Sequence, residues 1–279
     1  MSDARDLRAD TALTRDPANP SRFRGEINEG WKVVYVFGGV TMYTALRAMQ
    51  EALNRPELPL VTANAIYLAP VPPGPITIDV EVLRDGRRAS QVAADLRVGD
   101  SDQVALRVHG VFGAAHDTDL TFQEVRCPEV PRPQDSPEPP TDRPNPFGHI
   151  PFHEQTLWRP VSPLDDPGRG QFLSWVRLAR DADPDLLTLA VHGDVLGPAV
   201  GRGLGPRDDP FMVLSLEIGI RFVATPVTQW VLQEIEAWHV GDGYATGPAR
   251  LWDESGKLCA IATQTANVRV FTPNATASP

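Results

Sequence analysis

Two stretches of this sequence could do chemistry. In the last patterned run, Leu258, Ala260, Ala262, Gln264, Ala266, Val268 and Val270 fall on one face of a strand. One amide interrupts an otherwise apolar row. Buried without partners it would cost about 1–3 kcal/mol, so something must answer it, either a neighbouring loop or a functional group. The second stretch is Phe37-Gly38-Gly39, where a β-rich run meets a helical pattern. Two glycines at a helix start leave backbone N–H groups open to an incoming group. A helix N-terminus favours negative charge or a polarised carbonyl. The alternative is a tight turn that needs glycine for steric reasons.

Other constellations fail on spacing. His149 and His153 are one helical turn apart, but Pro151 lies between them, so no metal-binding face forms. The remaining histidines, His109, His116, His192 and His239, are scattered, and His192 reads as an exposed helix-end residue. There is no G-x-S-x-G nucleophile elbow and no phosphate loop. Cys127 and Cys259 are far apart, which suits a reducing cytoplasm and provides no disulfide framework or Cys-rich metal site. The net charge of −10 argues against nucleic acid or an anionic membrane as partner. No apolar run reaches membrane-spanning length, and Met1-Ser2-Asp3-Ala4-Arg5 opens no signal-peptide core. The expected location is therefore cytoplasmic.

The elements that must position these residues come in two similar sets. Residues 1–20 are polar and read as a loose lead-in. Arg22–Ile27 is a candidate strand, Trp31–Phe37 a second, and residues 39–54 a helix closed by Asn54 and Pro56. Four strands follow with no helix between them: Leu60–Leu68, Ile76–Leu83, Ala89–Val98 and Gln103–Phe112. In the second of these Ile76, Ile78, Val80 and Val82 alternate with Thr77, Asp79 and Glu81, the pattern of a half-buried antiparallel strand. Residues 128–151 carry nine prolines and read as an extended, stiff linker. The order then repeats. Gln171–Arg180 is a strand, and 184–202 is a helical stretch weakened by Gly193, Gly197 and Pro198. Phe211–Ala224, Thr228–His239, Gly243–Trp252 and Lys257–Val270 are four more strands. The expected division is lead-in 1–20, first unit 21–127, linker 128–151, second unit 152–272 and tail 273–279, in the α+β class.

Each half resembles a hotdog unit, an antiparallel sheet wrapped around a long helix. The whole resembles the acyl-CoA thioesterase II (TesB-like) family, in which two such units are fused into a tandem, or double, hotdog. The resemblance rests on Phe37-Gly38-Gly39, Leu83-Arg84-Asp85-Gly86, the run from Leu251-Trp252-Asp253 to Gly256, and Gln264. It implies hydrolysis of an acyl thioester, on CoA or an acyl carrier, with no metal or organic cofactor. It also implies a site in the second half, where Asp194, Ser215 and Gln264 hold a water. Gly38 and Gly39 would bind substrate, with Gly39 as a candidate amide donor to the oxyanion. A homodimer of double-hotdog chains is left open.

Taken apart from the resemblance, these residues keep other readings. Asp194 is also an acidic residue of the kind favoured near a helix start. On strict alternation Ser215 lines up with Glu217 and Arg221, away from Leu214, Leu216, Ile218, Ile220 and Phe222. To face Gln264 it needs a bulge or a late strand start. Superposing the repeats puts Val108, or a close neighbour, where Gln264 stands, so one site per chain is expected. Two rivals share the scaffold. One is a non-catalytic binder of acyl or polyketide-like ligands. The other is a repurposed biosynthetic enzyme such as a hydratase or dehydratase, which resembles an Asp followed closely by an Asn and a His. Neither follows Asp194 here.

Overall fold

The computed structural model describes residues 4–116, 118–139, 148–162 and 169–270. Among the described residues thirteen strands form one antiparallel sheet, with the helices packed on its apolar face. The expected tail, and Pro140, Pro144 and Pro146 of the expected linker, lie outside the described residues.

The N-terminal lead-in is ordered rather than loose. It forms α1 (Leu7–Asp10) and β1 (Leu13–Asp16), which pairs with β2 (Asn19–Ile27). A few residues are enough to fix it. Asp6 caps the helix by accepting the Ala9 N–H, Leu7 is buried, and the buried Thr11 hydroxyl donates to the Leu7 carbonyl. Trp31–Phe37 is not a strand. A 3-10 turn spans Glu29–Trp31, and beyond it only Lys32 and Val36 bridge. Trp31 is fully buried, with its indole N–H on Asp10 at 3.0 Å. That anchor bends the chain and leaves Val34 and Tyr35 exposed.

Helix α2 (Gly38–Leu53) then runs through the core and stops at Asn54, whose left-handed backbone ends it. It is buried on nearly every side, from Val40 and Met42 through Leu46 and Met49. Strands β3 (Leu60–Tyr67), β4 (Gly74–Asp85), β5 (Ala89–Val98) and β6 (Val104–Gly113) wrap it. The described part of the proline-rich segment is no mere spacer. Val125, Cys127 and Val130 pack against Trp175, Leu232 and Trp252, and the Trp175 indole donates to the Pro131 carbonyl at 2.9 Å. Beyond it come α3 (Pro151–Glu154), β7 (Thr156–Pro160) and β8 (Gln171–Leu178), of which sequence periodicity had suggested only the last. Phe152 of α3 stacks on Phe37, with ring centroids 4.2 Å apart.

The helical stretch of the second half is broken into α4 (Thr188–Gly193) and α5 (Gly197–Leu204). Strands β9 (Phe211–Phe222), β10 (Val231–Glu236), β11 (His239–Gly241), β12 (Tyr244–Asp253) and β13 (Leu258–Val270) complete the sheet. The order is β1-β2-β4-β5-β6-β3-β9-β13-β12-β10-β8-β7, with β11 on β12. The halves join where β3 pairs with β9. Ala65 faces Ile218 across that seam; Val108 lies beyond Ala65, and Gln264 beyond Ile218. Val108 and Gln264 thus occupy mirrored places in the two halves, as the superposed repeats required.

The helices of the two halves touch at the start of α2. A Cβ on Gly39 would lie 2.7 Å from the Val191 Cα and 2.8 Å from the Ala190 carbonyl oxygen. Both are backbone atoms and cannot swing away. We therefore expect Gly39→Ala to destabilise by about 1–3 kcal/mol, the usual cost of overpacking, read as a lowered denaturation midpoint. An alanine variant as stable as the parent would show that this contact can relax.

Candidate active site

The polar group in the β13 row has its partners. Gln264 is 5% exposed, between Ala262 and Ala266, which are buried with it. Its Oε1 accepts the Leu196 N–H at 3.0 Å. Its Nε2 donates to Asp194 Oδ1 at 2.6 Å and to Ser215 Oγ at 2.7 Å. The Ser215 hydroxyl donates to the same Asp194 oxygen at 2.5 Å. Three side chains that sequence analysis placed in one site do meet.

Asp194 and Ser215 each reach the site by a local irregularity. Asp194 is not at the head of a helix. It sits in the break between α4 and α5, with φ −89° and ψ 64°. Pro198 cannot continue a helix begun before it, since its ring excludes the preceding turn and it has no N–H to donate. Gly193 lets the end of α4 lie close on the sheet: a Cβ there would already be 3.2 Å from Ile220 Cδ1. Ser215 arrives through a β-bulge. Thr265 faces Glu217 and Ala266 faces Ser215, so Leu216 is left without a partner on β13. The extra residue inverts the alternation. Ile218, Ile220 and Phe222 face the core on one side of it, and Ser215, Val213 and Phe211 on the other. Leu216 turns out to solvent, against the unbroken apolar row expected from sequence.

The glycines of α2 stand beside this cluster. A Cβ on Gly38 would lie 2.4 Å from Asp194 Oδ2. The Gly39 amide is near enough to the Asp194 carboxylate to lower its pKa. Phe37 offers no side-chain cap to α2. Asp194 is 5% exposed. Burial pushes its carboxyl pKa up, and the Ser215 hydroxyl, the Gly39 amide and the Gln264 amide each pull it back down.

Two further groups were missed by sequence reading. Gln233 is buried on β10, where its Oε1 accepts from Ser174 Oγ at 3.0 Å and its Nε2 donates to the His192 carbonyl at 2.8 Å. It braces the last turn of α4, two residues from Asp194. It lies between Val231 and Ile235 on an inward face, so the signal that marked Gln264 was present here too. Tyr67 ends β3, and its ring lies over Gly38. Nothing in its strand pattern sets it apart. His192, expected at the surface, is buried, and burial pushes its imidazole pKa down to about 4. A separate cavity of about 330 Å³ between α2, α4 and the N-terminal segment is lined by Tyr43, Asp185 and His192 but includes none of the three meeting side chains. No helix among the described residues is long and apolar enough to cross a membrane.

What the cluster can do is limited and clear. One carboxylate oxygen, Oδ1, takes two short hydrogen bonds from neutral donors. Such a group can accept a proton from a water.

Comparisons with known proteins agree with this architecture. Residues 27–113 match the model of the acyl-CoA thioesterase N-terminal domain, and residues 125–268 that of the acyl-CoA thioesterase C-terminal domain. Among solved structures, a conserved protein of unknown function with a hot dog fold from Alicyclobacillus acidocaldarius superposes with a TM-score of 0.80. It shares 23% identity over 96% of this chain and 98% of its own. The acyl-CoA thioesterase II TesB2 from Mycobacterium marinum superposes with a TM-score of 0.74, at 20% identity, over 96% of this chain and 99% of its own. No curated protein matches the sequence.

Two outcomes follow from the hydrogen bonds and the buried charge. Gln264→Ala strands the Leu196 N–H and removes two neighbouring bonds. It should cost at least about 1–3 kcal/mol, although the small side chain suits its neighbours, and an unchanged denaturation midpoint would contradict this. Asp194 has a raised native pKa, so between the ordinary value of 3.8 and that raised value the folded state binds more protons than the unfolded state. Its contribution to stability therefore falls as pH rises through that window. Melting curves against pH should show Asp194→Asn gaining on the parent as pH climbs above about 4. A difference that stays flat or moves the other way would contradict a raised pKa.

Proposed function

The chain belongs to the acyl-CoA thioesterase family and is a thioester hydrolase on a hotdog-type fold, and from that premise we propose that Asp194, Ser215 and Gln264 hold its hydrolytic water. The observation that carries this reading is the convergence of an amide and a hydroxyl on one oxygen of a buried carboxylate, at 2.6 and 2.5 Å.

In this reading Asp194 is the general base. It takes a proton from the water as the water oxygen attacks the thioester carbonyl. Ser215 and Gln264 orient the water and transfer no proton themselves. The tetrahedral intermediate collapses, the C–S bond breaks, and the thiolate leaves with the proton that Asp194 held. The products are a free acid and a thiol, and the acyl group is delivered as an acyl-CoA.

We read the architecture as a tandem double hotdog with units 21–127 and 152–272 joined by 128–151. α2 is the wrapped helix of the first unit. α4 and α5, broken at Asp194, are that of the second. The symmetry of register about Ala65 and Ile218 supports this. It also supports a single site per chain, since Val108 holds the place of Gln264 in the first unit and has no polar group to offer. A binder on the same scaffold has no need of a base aligned by two donors, and the alignment favours the hydrolase.

Two experiments test this. Acyl-CoA esters of graded chain length should release free thiol with the parent chain. Asp194→Asn should lower turnover by at least about a hundredfold, within the range for losing acid–base assistance. A variant as active as the parent on its best substrate would remove Asp194 from the mechanism. Separately, a protease site inserted between residues 139 and 148 should, once cut, leave the halves co-eluting, because β3 and β9 pair across the seam. Halves that elute apart as folded monomers would overturn the tandem reading.

A further inference from the structure

Tyr67 carries a buried hydroxyl with no hydrogen-bond partner, alone in this among the buried polar side chains of the described residues. An unanswered buried hydroxyl costs about 1–3 kcal/mol, so a native protein keeps one for a reason. Its position suggests that reason. Tyr67 Cε1 and Cζ lie 3.0 and 3.1 Å from the point where a Cβ on Gly38 would stand. Asp194 Oδ2 lies 2.4 Å from the same point. The ring of the phenol and an oxygen of the carboxylate therefore pack together against the Cα of Gly38, which is possible because residue 38 has no side chain. One of the pair is a proton acceptor and the other a hydrogen-bond donor.

Hydrolysis of a thioester needs both. The water must lose a proton, and the carbonyl oxygen must be stabilised as it takes on negative charge. Resting on the hydrolase reading above, we propose that the Tyr67 hydroxyl donates to the thioester carbonyl oxygen and stabilises the oxyanion. As the water's O–C bond forms, the carbonyl π pair moves onto the oxygen that Tyr67 holds, and the water's proton passes to Asp194. The pair then returns, the C–S bond breaks, and the proton leaves with the thiolate. Tyr67 keeps its own proton throughout. Burial, and then the nearby Asp194 charge, push its phenol pKa well up, so it remains a donor across the working pH range. The site so assembled draws on both halves: Tyr67 and Gly38 from the first, Asp194, Ser215 and Gln264 from the second.

Tyr67→Phe is the test, because it removes one oxygen and keeps the ring against Gly38. Loss of an oxyanion donor lowers turnover about 10²–10³-fold in comparable sites, and we expect a fall of that order in kcat with KM little changed. Thermal stability should stay level or rise, since the unpaired hydroxyl is gone. A group with a purely structural partner would behave the other way, with lowered stability and intact kcat. The carbonyl itself gives a second readout. With a ¹³C=O-labelled acyl-CoA held on Asp194→Asn, the bound carbonyl stretch should lie at lower frequency than on Asp194→Asn/Tyr67→Phe. Equal frequencies, or a Tyr67→Phe enzyme with parental kcat, overturn the role of Tyr67 while leaving the hydrolase reading in place. A parent chain that releases no thiol from any acyl-CoA overturns both.

Discussion

Asp194 is a buried carboxylate whose side-chain hydrogen-bond donors among the described residues, Ser215 and Gln264, are neutral. Burying an ionised group is costly unless its surroundings answer it. Here the answer comes from those two neutral donors and the nearby Gly39 amide. Most of the irregularities in the fold serve that arrangement. The helix breaks at Asp194 so that its side chain can turn inward. The bulge at Leu216 brings Ser215 to the same side. Gly38 and Gly39 let the start of α2 approach closely. Neutral donors orient a carboxylate without neutralising it, which is what a base needs.

Because the helix end comes from the first half and the acid from the second, neither half holds a complete site. The seam between β3 and β9 is therefore more than a structural join. It sets the distance from Gly38 and Tyr67 to Asp194. The first half has Val108 in the mirrored place of Gln264, and in the proposed reading it supplies shape in place of acid–base chemistry. A scaffold of this kind does not itself dictate a reaction. In that reading the reaction lies in the few places where the second half departs from the first.

Those departures explain how far the sequence could be read. The strands from Leu60 to Phe112 and the helix from Gly38 follow period and punctuation closely, because their burial is regular. Gln264 was legible for the same reason: an amide stands out in an apolar row. Gln233 carries the same mark and was passed over, since its neighbour Glu234 makes the row look merely polar. Ser215 was not legible, because a bulge breaks the alternation on which the reading depends, and nothing in Leu214-Ser215-Leu216 announces one. Asp194 was found but misplaced, since composition shows weak helix without showing where it stops. The glycine pair was located correctly, whereas its steric role depends on a second helix distant in sequence. Trp31–Phe37 looked like a strand by residue type, and its tertiary anchor, Trp31 on Asp10, overrode that preference. Tyr67 has no local signal at all. Its hydroxyl matters only because of what the fold brings beside it.

The account rests on a water attacking the thioester, with Asp194 as base. The alternative for a carboxylate so placed is direct attack to form an anhydride. One measurement detects an anhydride that opens at the Asp194 carbonyl: a single turnover of an acyl-CoA with excess enzyme in ¹⁸O-labelled water, followed by mass analysis of both the acid and the peptide containing Asp194. The account predicts one ¹⁸O in the released acid and none in the peptide. Unlabelled acid from the first turnover, with the label in the peptide, would contradict it.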